Sequence, residues 1–262
     1  MAREALGLGS GLRTADCGSQ AMTLKGIDHM KFFKLALCAA TATVALGGAA
    51  LAADGPSVAF NAGVASAYSF RGLDQNAGNA SIFGGADVSA GKLYAGTWLG
   101  QVSFAGAETD FYAGYKPTLG PVTFDLGAVY YGYVNQDLPN EAYWEGKVAA
   151  SIPAGMGTLG VSYYYSPAFF GDTGRADYYE LNGSMPFPVG GATLSGAIGR
   201  QSLARKSYGV DGYSTWNTGV TVPVYKDKLS FDLRYVGTDK DAKTACVGCN
   251  LNKVFVTLKA AF

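Results

Sequence analysis

The sequence predicts an all-β chain that closes into a transmembrane, antiparallel, up-and-down β-barrel of twelve strands. Three observations carry this prediction. The first is composition: 37 glycines, 17 tyrosines and 14 phenylalanines in 262 residues, with 48% hydrophobic and only 15% charged residues. Typical domains have about 7% glycine and about 25% charged residues, and so much apolar surface excludes a disordered chain. The second is hydrophobicity that alternates every second residue. The third is punctuation, in which short turns alternate with longer polar loops, as in a barrel with both termini on the periplasmic side. Past the N-terminal region no run of about 18 apolar residues occurs, which excludes a helical membrane protein.

The N-terminal region is set aside before the strands are read. From Met30 the chain runs MKFFKLALCAATATVALGGAALAADG, with Lys31 and Lys34 as a basic start, an apolar stretch over 35–46, and Ala50-Leu51-Ala52 as an A-x-A site. This is the layout of a secretory signal peptide over 30–52, cleaved near Ala52. Gly47 and Gly48 interrupt the apolar run and disfavour a membrane anchor, while Leu37 stands before Cys38 where a lipoprotein signal needs a small residue. Residues 1–29 have neither signal-peptide logic nor periodicity and read as a leader or an upstream-start artefact. The barrel is assigned to 53–262. That stretch keeps 15 basic and 17 acidic residues, two cysteines and no histidine, because His29 is the single imidazole of the chain. No basic field remains to attract nucleic acid.

The twelve strands follow in order. Residues 57–70 form the first and lead through a long connection to 80–90, which turns near Gly91 into 92–104. A brief link at 105–107, an exception among the loops, joins 108–116, and Pro117 to Gly120 turn the chain into 121–134. There Val122, Phe124, Leu126, Ala128 and Tyr130 alternate with Thr123, Asp125 and Gly127. A longer loop precedes 142–152; Pro153 to Gly157 then turn the chain into 158–166, and another loop leads to 177–186. Pro186 to Gly190 make the next short turn into 191–201, followed by a loop and by 214–224. Tyr225 to Lys228 turn the chain into 228–237, where Leu229, Phe231, Leu233 and Tyr235 oppose Ser230, Asp232 and Arg234. The last strand, 251–262, sets Val254, Val256, Leu258, Ala260 and Phe262 against Lys253, Phe255, Thr257 and Lys259. Helical periodicity explains none of these, and prolines fall between segments, as strand punctuation should.

The second face decides between a soluble sandwich and a membrane barrel. A sandwich of this size turns large aliphatic residues inward to a dense core. Here Asp87, Asp110, Asp125, Glu145, Lys147, Glu180, Asn182, Asp232 and Arg234 sit mid-strand opposite apolar neighbours, which suits a polar lumen inside an apolar exterior. Tyr68, Phe70, Tyr130, Trp144, Tyr163, Tyr165, Tyr179, Trp216 and Tyr235 lie towards the long-loop ends and are expected to form an aromatic girdle.

The blocks SVAFNAGVASAYSFRGLDQN, FGGADVSAGKLYAGTWLGQV, AETDFYAGYKP and FDLGAVYYGYVN resemble the TorF-type porins, also catalogued as the Gcw_chp family. The YSFRG stretch from Tyr68 to Gly72, the Gly96-Thr97-Trp98 triplet and the terminal Phe262 carry the likeness most specifically. The resemblance implies a Gram-negative outer-membrane barrel that acts as a channel. It brings no established substrate and no catalytic residues, and the leader before Met30 has no counterpart in it.

Catalytic chemistry is sparse. Outer-membrane hydrolases that use a histidine base are excluded for want of an imidazole. Glu108 with Asp110, or Glu141 with Glu145, would supply a carboxylate pair for glycoside cleavage, but acids at strand ends are expected to be solvated rim groups. Gly84-Gly85 and Gly190-Gly191 lack the following helix and the Lys-Ser/Thr pair of a phosphate loop. Cys246-Val247-Gly248-Cys249 offers neither a helix N-terminus for thiol activation nor two further metal ligands. A small disulfide in the last long loop is expected in an exported protein. No metal or cofactor is predicted.

The expected function is a passive pore for small hydrophilic solutes or ions. Asn61, Asp87, Asp110, Asp125, Glu145, Lys147, Glu180, Asp232, Arg234, Lys253 and Lys259 would line it, with Arg71 near the outer mouth. The alternatives are a barrel whose charges pair across a narrow, plugged lumen, serving structure or adhesion, and a soluble secreted β-sandwich. Side chains fill small barrels, and twelve strands lie between filled and open. The expected partners are outer-membrane lipid and the barrel-insertion machinery, which would read Phe262 with Leu258 and Val256 as a C-terminal strand signal. Neither the solute nor the oligomeric state is legible.

Overall fold

The computed structural model describes residues 55–135, 140–226, 228–249 and 252–262; the predicted leader and signal peptide lie outside the described residues. Twelve long strands follow in order: β1 (Ser57–Ala65), β2 (Ser81–Ala90), β3 (Leu93–Val102), β4 (Gly106–Tyr115), β5 (Val122–Tyr133) and β6 (Tyr143–Ala154). They continue as β7 (Gly157–Ser166), β8 (Ala176–Pro186), β9 (Thr193–Ser202), β10 (Gly212–Tyr225), β11 (Leu229–Thr238) and β12 (Asn252–Ala261). Every strand pairs antiparallel with its sequence neighbours, and β1 pairs with β12, Val64 opposite Leu258, so the sheet closes into a barrel. Closure removes both sheet edges, the condition for crossing lipid with strands. The register slips once, between Pro223 and Tyr225 of β10, where proline has no N–H to give to the ladder.

The period-two pattern sorts the side chains. Val58, Phe60, Ile82, Leu99, Val161, Ile198 and Val254 point outward and remain 50–69% exposed across the segments where soluble strands would bury them. Their inward neighbours Asn61, Ser81, Asp110, Glu145 and Arg234 are buried. An apolar exterior around a polar interior inverts the soluble arrangement and fits a lipid-facing wall. Tyr130, Trp144, Tyr179, Trp216 and Tyr235 stand exposed on the outside towards the long-loop end, as a girdle requires.

The connections differ at the two ends. Residues 91–92 and 155–156 are tight turns at one end, while 66–80, 167–175, 203–211 and 239–249 belong to long loops at the other, and 103–105 is the brief exception. The long loops fold over the barrel mouth. Phe169, Leu203 and Ala242 pack with Phe70 of the first loop and with Tyr131, Tyr143 and Tyr213 of the wall in one buried cluster. The apolar core thus sits inside one end of the barrel.

Two expectations are corrected by this packing. The first strand stops at Ala65, not at residue 70, because Ala67, Tyr68, Ser69, Phe70 and Arg71 are all buried, which a strand with one face on lipid does not allow. Tyr68 and Phe70 therefore do not belong to the girdle; each is 8% exposed and lies inside the barrel.

Candidate functional site: the lumen and its plug

The segment 66–80 leaves β1, enters the barrel and returns to β2. Its tip is a two-residue ribbon, Ser69–Phe70 paired with Leu73–Asp74. The turn between them has positive φ at Arg71 (46°) and at Gly72 (81°), the pair of left-handed residues that a tight ribbon turn needs. Glycine at 72 is also required by space, because a Cβ there collides with the side chains of Thr238 and Thr215. An inward-folded loop thus presents an arginine at its tip.

The wall receives that arginine. Arg71 Nη1 and Nη2 donate to Glu145 Oε1 and Oε2 at 2.8 and 2.6 Å, and Nη1 also donates to Gln201 Oε1 at 2.8 Å. The guanidinium carbon lies 4.3 Å from the ring centre of Tyr178, 5.0 Å from Tyr164 and 4.7 Å from Phe70. Gln201 is oriented by its own amide, which donates to the carbonyls of Asp177 and Ser202 at 3.2 Å, and the Tyr131 hydroxyl donates to Glu145 Oε2 at 3.2 Å. Burial alone would lower the Arg71 pKa; the adjoining Glu145 charge and hydrogen bonds raise it instead, so the group stays cationic. Arg71 Nε is buried with no acceptor.

Other bonds fasten the rest of the plug. The Tyr68 hydroxyl donates to Glu108 Oε1 at 2.5 Å, and burial together with the Glu108 charge holds this phenol well above its ordinary range, so it stays a donor. Asp74 accepts from the amides of Asn76 and Gly78 at 3.0 and 2.7 Å and meets Lys253 at 3.6 Å. Its own amide donates to the carbonyl of Cys249 at 2.6 Å. Cys246 and Cys249 form a disulfide in the last long loop, so the cysteine loop rests on the plug. Beside Arg71 lies a cavity of about 20 Å³ between Ser69, Tyr178, Glu180, Thr215, Asn217 and Val236, room for about one water molecule.

Towards the short-turn end the inward charges pair with one another. Asp125 meets Lys147 at 2.7 Å and Lys116 at 3.6 Å and accepts from the Tyr94 hydroxyl at 2.7 Å. Asp87 accepts from the Tyr112 hydroxyl at 2.6 Å. Arg234 donates to Asp232 at 3.0 and 3.1 Å, to Asn217 at 2.7 Å and to Ser195 at 2.8 Å. Glu180 accepts from Tyr178 and Asn182 at 2.9 and 3.1 Å. Asn61 is buried, and Lys253 and Lys259 are half-buried on the same alternate set of β12 as buried Phe255. A second concavity, about 760 Å³, is lined by outward residues such as Phe124, Val161, Leu181 and Trp216, and so lies on the outer wall, not in the lumen.

Each lumen candidate read from the sequence thus lies on the inward alternation of its strand, with one correction. Arg71 does not stand at the outer mouth; 6% exposed, it is clasped inside the barrel by Glu145. Glu108 and Glu141 are likewise not solvated rim acids, being 2% and 1% exposed. No sequence signal of period two marks a loop that folds inward; the Arg71-Gly72 turn between Phe70 and Leu73 was the local hint. Phe262 extends the closing seam, exchanging backbone hydrogen bonds with Phe60 at 2.9 and 3.2 Å.

Three solved structures share the fold. A KdgM porin superimposes with a TM-score of 0.53 at 5% identity, covering 78% of this chain and 97% of that one. A NanC porin gives 0.50 at 12% identity over 79% and 99% of the two chains, and a KdgM porin in complex with disordered oligogalacturonate gives 0.51 at 5% over 78% and 95%. At these identities the likeness is one of fold. No curated protein sequence matches the chain. A family model, described as a bacterial protein of unknown function, matches residues 49–262, and the chain belongs to that family, Gcw_chp.

Proposed function

We propose that the chain is an outer-membrane channel for passive diffusion of small hydrophilic solutes or ions, exported after cleavage near Ala52, with the segment 66–80 as its constriction. The observation that carries the reading is the closed barrel with a polar inward face and an apolar outward face. Such an interior has no use in a soluble core and suits water and solutes. The fold shared with KdgM and NanC porins, and the likeness of its sequence blocks to TorF-type porins, support the same reading. The described residues line the lumen with paired charges of both signs, so strong ion selectivity is not expected of it. The reading assigns no catalytic step.

A second reading, a plugged structural barrel, is favoured by one observation: Arg71 and the loop cluster are packed inside the long-loop end of the barrel. Planar-bilayer recording separates the two. The channel reading expects rare openings of the wild type and sustained conductance when Arg71→Ala frees the plug. No conductance from either protein at any voltage assigns the barrel to the plugged class.

A further inference from the structure

A loop supplies Arg71, but the wall supplies most of what holds it. Glu145 lies on β6, Tyr164 on β7, Tyr178 on β8 and Gln201 on β9, four consecutive strands in register, with Tyr164 opposite Tyr178 and Tyr178 opposite Gln201. Because these positions are fixed by the ladder, the pocket does not depend on the plug for its shape. A carboxylate that takes two parallel N–H groups, a carbonyl oxygen beside it and two ring faces together match a planar cation. An ammonium matches the charge but not the fork, and an anionic solute would meet Glu145.

Two further observations point to an occupant other than Arg71. The tethered guanidinium leaves its Nε–H buried without an acceptor, so the loop fills the pocket imperfectly. The same end of the lumen also carries Glu108 and Asp110 on β4, each 2% exposed, with Asp110 Oδ1 unpartnered. Among the described residues the only other buried base is Arg234, which is engaged with Asp232. Arg71 itself is bonded to Glu145 and lies beside Glu180.

We propose that this wall pocket is a binding site for monosubstituted guanidines, the chemistry of an arginine side chain, and that Arg71 occupies it as a tethered surrogate which such a solute displaces. The displacement rests on the channel reading; the binding does not. A surrogate docked more than about 90% of the time lowers the apparent affinity of a free ligand about tenfold.

Isothermal titration of the detergent-solubilised full chain with methylguanidinium tests the site. Arg71→Ala should bind it at least about tenfold more tightly than the wild type, Glu145→Gln added to Arg71→Ala should abolish the gain, and urea, of similar shape without charge, should show none. Equal affinity in wild type and Arg71→Ala, or retention of the gain without Glu145, overturns the proposal. If Arg71→Ala yields no folded barrel, refolding with methylguanidinium is the readout: recovery of heat-modifiable barrel supports the site, and no recovery overturns it. Binding without conductance in bilayers keeps the site and discards the channel reading, whereas conductance without binding does the reverse.

Discussion

Glu145→Gln isolates the bond that holds the plug. The substitution keeps shape and a hydrogen-bonding amide but removes the charge opposite Arg71, whose side chain is 2% exposed against 1% for Glu145. Solvent screening therefore gives no discount, and breaking one partner of a buried pair costs about 3–5 kcal/mol because the other charge is left uncompensated. At about 1.4 kcal/mol per factor of ten, the docked population of the plug falls by roughly two to three and a half orders of magnitude. Gln201 and the three aromatic rings still face the guanidinium, so the lower half of that range is the firmer expectation. Ser69→Cys reports on the change, since position 69 is 5% exposed inside the barrel and labelling by a thiol reagent follows the population of the undocked form when docking is fast. The double variant should label at least about a hundredfold faster than Ser69→Cys alone. Equal rates would show that Glu145 does not hold the plug and would refute the reasoning.

Three other outcomes follow from the same structure. Deletion of Phe262 removes two backbone bonds at the β1–β12 seam and the terminal outward ring; folded, heat-modifiable barrel in the outer membrane should drop sharply, and normal levels would end the assembly-signal reading. An impermeant maleimide should label Cys246 and Cys249 only after reduction, because the disulfide consumes both thiols; labelling of unreduced protein would contradict it. Lys147→Gln with Arg234→Gln leaves Asp125 and Asp232 without their close bases at 2.7 and 3.0 Å, which should move the reversal potential towards cations by the single-charge logic of narrow pores. An unmoved reversal potential in a conducting double variant would place these residues off the permeation path.

The wall was legible because a membrane barrel writes its two solvents into alternate residues. Asp125 between Phe124 and Leu126, or Asp232 between Phe231 and Leu233, has no stable alternative to facing inward, since a charge on the lipid face costs about 2–4 kcal/mol near the midplane. Strand ends were harder. β10 starts at Gly212 and β8 at Ala176, slightly outside the ranges read from the sequence, where the alternation fades into loop composition.

The plug was illegible for a reason that also explains its chemistry. Tyr68, Phe70 and Arg71 read as girdle and rim because one sequence position cannot say on which side of the wall its loop falls, and aromatic residues suit a lipid interface and a packed interior equally. What decides is the partner: Phe70 finds Tyr131 edge-on at 5.7 Å, Tyr68 finds Glu108, and Arg71 finds Glu145, on strands distant in sequence. The inward loop brings Arg71 to Glu145, a buried carboxylate of the wall. A barrel that needed only to be sealed would fill this end with apolar residues, because a well-packed apolar replacement of a buried ion pair is often neutral or stabilising. A seal built on Arg71 and Glu145 is instead one whose strength depends on a buried ion pair.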